Sequence, residues 1–108
     1  MDIVTPLKVG ERMYVGGAAA KPGPGWAVVD VRVLPESPRV GAEIPMPRLR
    51  DVTKQVVDGW KAGKTVLVRC KHGVSRSPTV AKLALRILNK PFSDHRYFPS
   101  GAWKQVRL

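Results

Sequence analysis

The sequence predicts an α/β domain: a small central sheet, mostly parallel at its centre, flanked by helices. Three observations predict it. Strand-length apolar runs over residues 26–31 and 65–69 alternate with stretches of helical apolar spacing over residues 51–61 and 77–89, the pattern of a parallel sheet joined by crossover helices. The length of 108 residues suits one domain spanning 1–108. A hydrophobic share of 44% with only 6% aromatic residues says that the core rests on Val, Leu, Ile and Ala.

Each element has a local reason. Residues 11–16 alternate in part and are rich in β-formers, which predicts a strand. Lys21-Pro22-Gly23-Pro24-Gly25 interrupts any regular element and reads as a turn. The continuous apolar run over 26–31 predicts a buried strand. Pro35 and Pro38 make 34–39 a loop, 42–44 has the composition of a short strand, and Pro45 and Pro47 break regularity. Asp51 is then a natural helix N-cap, with Val52, Gln55, Val56, Gly59 and Trp60 following at helical spacing and Ala62-Gly63-Lys64 ending the helix. Residues 65–69 form the central strand. The second helix, 77–89, carries one apolar stripe of Val80, Leu83, Ala84, Ile87 and Leu88, with Pro78 in its first turn and Pro91 closing the segment. The tail, 92–108, brings Tyr97, Phe98 and Trp103 to cover an edge of the core. No internal repeat or low-complexity tract interrupts this order.

The charge is lopsided: 19 Lys and Arg against 8 Asp and Glu, a net +11. Such an excess steers anionic partners. Its plain reading is a solvated basic surface. Its sharper reading is a phosphorylated protein or peptide, with nucleic acid as a second class of partner. The cations are spread along the chain, without an arginine-rich arm. A single cysteine excludes a zinc finger and an internal disulfide. It suits a reducing, cytoplasmic setting. No apolar stretch approaches a membrane span, and the first residues lack the blocks of a signal peptide. The expectation is a cytoplasmic monomer with no membrane partner.

The chemistry concentrates in Cys70-Lys71-His72-Gly73-Val74-Ser75-Arg76-Ser77, where the one cysteine and an arginine stand in the pattern Cys-x5-Arg. A strand leads in and a helix leads out. The loop N–H groups of Lys71, His72, Gly73, Val74 and Ser75 can converge on an oxyanion, and the helix dipole favours negative charge there. The same field favours a thiolate nucleophile. Arg76 offers a planar fork matched to two phosphate oxygens, and a cation at a helix start opposes the dipole unless an anion sits beside it. Gly73 lets the main chain approach that anion closely. The plain readings are a buried structural cysteine, a surface arginine and an N-cap serine.

From Val66 to Thr79 the chain resembles the signature loop of cysteine-dependent protein tyrosine phosphatases, and Ser75-Arg76-Ser77-Pro78-Thr79 most resembles the dual-specificity members. Met13-Tyr14-Val15-Gly16-Gly17-Ala18-Ala19-Ala20 is similar to a segment near the start of such domains. The resemblance implies a phosphatase acting on phosphotyrosine, with phosphoserine and phosphothreonine as further substrates. It implies a phosphocysteine intermediate on Cys70, an oxyanion clamp by Arg76, a Ser77 hydroxyl that hydrogen-bonds the sulfur, and no metal or cofactor. The His72 side chain either biases substrate choice or is simply solvated, while His95 in the tail is structural or exposed. Arg69 departs from the family's usual histidine before the cysteine. It lowers the thiolate's energy by proximity or points to the opposite sheet face.

The resemblance also requires an aspartate general acid, usually about thirty residues before the cysteine. The matching stretch, Ile44-Pro45-Met46-Pro47-Arg48-Leu49-Arg50, contains none. Asp51 comes next and is the first candidate, competing with its reading as a helix cap. Asp30, ending a strand, is the second, and Asp58, inside a helix, is a poor third. Three alternatives stand beside the phosphatase. One is an RNA 5′-phosphatase, favoured by the charge. Another is a rhodanese-like sulfurtransferase, whose early strand Val28-Val29-Asp30-Val31-Arg32 resembles. The third is a catalytically weak phosphate-binding module lacking an acid.

Overall fold

The computed structural model describes residues 4–35, 45–72 and 76–93. Among them the elements run β1 (Leu7–Gly10), β2 (Met13–Gly16), β3 (Ala27–Asp30), α1 (Met46–Lys61), β4 (Val66–Arg69) and α2 (Arg76–Ile87). The strands form one sheet in the order β1-β2-β4-β3. β1 pairs antiparallel with β2, while β4 lies parallel between β2 and β3, with Gly16 and Asp30 both opposite Arg69. The small α/β class and the sheet that is parallel at its centre agree with the sequence reading.

Side-chain alternation sets the layers. Met13, Val15, Val29, Val66 and Val68 join Leu49, Val52 and Val56 of α1 and Val80, Ala81, Ala84 and Leu85 of α2 in one core. The helices pack on each other and on this one face. The expectation of helices flanking the sheet is thus corrected: the described helices share a side. The opposite face carries Lys8, Tyr14, Val28, Asp30 and Arg69, and the Tyr14 and Trp26 rings stack there with centroids 4.6 Å apart. β3 lies at the sheet's edge and Val28 is 39% exposed. The run over 26–31 is therefore not a fully buried strand.

Helix boundaries moved for physical reasons. α1 starts at Met46, before Asp51, with Pro45 at the N-cap and Pro47 in the first turn. The prolines that read as a break are harmless there, because first-turn N–H groups have no helical partner. Asp51 is not the N-cap; it is an exposed residue within the helix. α1 ends as expected: Gly63 takes φ +86° and Lys64 N–H donates to the Gly59 carbonyl at 3.3 Å, an αL cap that glycine adopts without strain. α2 buries Ser77, Val80, Ala81, Ala84 and Leu85. Ile87, read as part of its core stripe, is exposed. β1 was not foreseen; four residues carry too little periodicity to register. Beyond it, Ser93 N–H donates to the Val9 carbonyl at 2.8 Å on the outer edge of the sheet. The strand expected at 42–44 and the tail aromatics lie outside the described residues.

Because β2, β3 and β4 run parallel, their carboxyl ends and the first turns of α1 and α2 lie at one end of the sheet. Cys70 follows β4 at that end. No helix among the described residues is long and apolar enough to cross a membrane.

Candidate active site

Cys70 extends the central strand by one residue, and its N–H donates to the Gly16 carbonyl at 3.2 Å. The side chain is 3% exposed and belongs to the helix-side core. The next carbonyl, of Lys71, accepts from Ala18 N–H at 3.1 Å. Gly16 at the end of β2 and Ala18 just past it thus clamp the backbone on both sides of the thiol. Lys71 is exposed and His72 half-buried. Gly73, Val74 and Ser75 lie outside the described residues, as does His95.

Across that loop, Arg76 opens α2 and is 5% exposed. Its Nη1 donates to the Leu34 carbonyl at 2.9 Å. That carbonyl takes one of the five guanidinium donors. The ion pairs among the described residues are Arg32 and Arg69 with Asp30, Lys54 with Asp58, and Lys90 with Glu11; none involves Arg76. Among the described residues, then, this buried guanidinium faces a neutral carbonyl and no carboxylate, and a buried charge calls for a partner. Ser77 is fully buried, and its Oγ has no hydrogen-bond partner among the described residues. A cation and an open hydroxyl thus share the first turn of a helix whose dipole already attracts anions.

Arg69 does not assist the thiol from the same side. Strand alternation turns it to the opposite face, where its Nε lies 3.8 Å from Asp30 Oδ2 and its Nη1 donates to the Ala20 carbonyl at 3.4 Å. Asp30 also receives Arg32 Nε at 3.0 Å, Nη2 at 2.7 Å and the Arg32 N–H at 3.0 Å. Burial pushes the Asp30 carboxyl up, but the hydrogen bonds and charge of Arg32, with the charge of Arg69, outweigh it and hold the carboxyl below its ordinary value. The ion pairs with Arg32 and Arg69 thus favour the ionised form of Asp30. Asp58 pairs with Lys54 Nζ at 2.6 Å. Asp51 stands in the second turn of α1, exposed, on the helix that starts at the Cys70 end of the sheet.

Arg32 is the residue the sequence reading missed, having entered it only as the end of the run Val28–Arg32. Its hydrogen bond to Asp30 raises it above its ordinary value, and the charge of Cys70 adds to the effect. The signal was available: a cation just past the carboxyl end of a strand in an α/β sheet, where such sheets bind ligands. Comparisons of the chain with protein-family models, curated proteins and solved structures return no match.

Proposed function

We propose that the protein is a cysteine-dependent phosphatase of phosphorylated proteins or peptides. The observation that carries the reading is Arg76: a buried guanidinium with no carboxylate partner among the described residues, one loop away from a buried thiol at the end of the central strand. An oxyanion seated between them supplies the missing charge.

The chemistry follows in two steps. The Cys70 thiolate attacks phosphorus, and the bond to the leaving oxygen breaks as that oxygen takes a proton. Water then attacks the phosphocysteine, releasing inorganic phosphate and restoring the thiolate. Arg76 and the loop N–H groups hold the charge spread over the equatorial oxygens. Ser77 Oγ stabilises the departing sulfur. Asp51 serves as the acid in the first step and the base in the second; it is exposed, whereas Asp30 is ion-paired with Arg32 and Arg69. A second reading is a phosphate-binding module, favoured by the ion pairing of Asp30, Asp58 and Glu11.

The test is hydrolysis of an aryl phosphate across pH. Wild type is expected to turn over with a bell-shaped profile. Cys70→Ser abolishes turnover while still binding vanadate or phosphate. Asp51→Asn loses the basic limb and about 10²–10⁴ in rate. Anion binding without turnover in wild type supports the module. An intact basic limb in Asp51→Asn removes that residue from the mechanism, and sulfur transfer from thiosulfate without phosphate release replaces the phosphatase by a sulfurtransferase.

A further inference from the structure

The turn that follows β3 is fastened to both halves of the site. Val31 N–H donates to the Arg69 carbonyl at 2.8 Å, beside Cys70, and the Leu34 carbonyl holds Arg76. Leu34 N–H closes the turn on the Val31 carbonyl at 3.0 Å. Val31 and Leu34 are buried at 0% and 1%, while Val33 is 51% exposed and the Arg32 side chain 53% exposed. Two anchors thus hold two outward residues, one cationic and one apolar, against the machinery that grips the phosphate. Asp30 fixes the cation further, since its carboxylate takes Arg32 Nε and Nη2. Arg32 and Arg69 exceed Asp30 by one positive charge.

We propose that this turn is the substrate-recognition element: Arg32 binds a carboxylate next to the phosphoresidue of a peptide, and Val33 packs on an apolar neighbour. The inference rests on the phosphatase reading and names its substrate class. A guanidinium prepositioned by a carboxylate loses little freedom on binding a second one. The observations favour peptide over RNA. Single-stranded RNA is held largely by aromatic platforms that stack bases, and among the described residues that directly follow β2, β3 and β4 (Gly17, Ala18, Val31, Arg32, Val33, Cys70, Lys71 and His72) the half-buried His72 carries the one ring, with no Phe, Tyr or Trp beside it.

The experiment compares kcat/KM for two phosphotyrosine peptides, one with glutamates flanking the phosphoresidue and one with alanines. A 5′-phosphorylated RNA oligonucleotide and an aryl phosphate are assayed alongside. Wild type is expected to prefer the acidic peptide by about fivefold at low salt, with the preference shrinking as salt screens an exposed pair. Arg32→Ala abolishes the ratio and Arg32→Lys keeps part of it. Because the ratio is taken within each variant, any effect on the chemical step cancels. Equal rates on the two peptides in wild type, or an unchanged ratio in Arg32→Ala, overturn the proposal while aryl phosphate turnover keeps the phosphatase reading. Faster turnover of the RNA than of either peptide replaces the peptide by RNA. No turnover of the aryl phosphate ends both.

Discussion

Ser77 is fully buried, and its hydroxyl has no hydrogen-bond partner among the described residues. An unsatisfied buried polar atom destabilises a fold by about 1–3 kcal/mol, so its retention asks for a reason outside folding. On the proposed phosphatase reading, the sulfur anion released when the phosphocysteine breaks down is that reason. Ser77→Ala is expected to leave thermal stability unchanged or slightly raised, while turnover falls about 10- to 100-fold, the worth of one hydrogen bond to a charged group. Pre-steady-state kinetics should show the phosphoenzyme accumulating. A stability loss of several kcal/mol with normal turnover would mark the serine as structural. The placing of Cys70 after β4 and of Arg76 and Ser77 at the start of α2 was legible because one loop fixes their spacing in the chain. The acid was not. Asp30 is ion-paired with Arg32 and Arg69, and the Arg69 contact exists only because β3 and β4 align those residues side by side, a register no local pattern encodes.

At the scale of elements, type was legible and extent was not. β4 and α2 follow from an apolar run and a helical stripe, yet α2 is rotated from the expected stripe: Ala81 and Leu85 face the core and Ile87 faces water. Periodicity gives a face about 100° wide; the packing partner chooses its centre. β1 shows what that choice demands of a neighbour. A Cβ built on Gly10 would lie 2.6 Å from Leu85 Cδ1 and 3.1 Å from the Pro91 carbonyl oxygen. Leu85 is fully buried and cannot swing away, and Pro91 presents backbone. The edge strand is therefore held close to α2 by the lack of a side chain. Gly10→Ala is expected to cost about 1–3 kcal/mol, the usual penalty of overpacking. The measurement is a lower denaturant midpoint with an unchanged slope; an unchanged midpoint would mean that the segment after α2 yields freely.

For the whole molecule the dominant quantity is the net +11 carried on 108 residues. Two opposite effects of salt follow from it. The folded chain concentrates uncompensated positive charge and repels itself, so screening stabilises it. Screening also weakens the four ion pairs that Asp30, Asp58 and Glu11 make among the described residues. Those pairs are partly or largely exposed, and such pairs contribute little, so relief of the general repulsion wins and the thermal midpoint rises with sodium chloride. Capture of a phosphorylated substrate moves the other way, because steering of an anion toward a cationic surface decays over a Debye length of about 10 Å at 0.1 M and about 3 Å at 1 M. On the phosphatase reading, kcat/KM on a phosphopeptide is expected to fall severalfold between about 0.02 M and 0.5 M salt, while kcat, set by contacts made after capture, changes little. Stability and capture measured on one salt series should therefore diverge. If both fall together, the fold depends on its ion pairs more than their exposure allows; if kcat/KM holds constant, the surplus charge lies away from the path of the substrate, and the basic surface serves solubility alone.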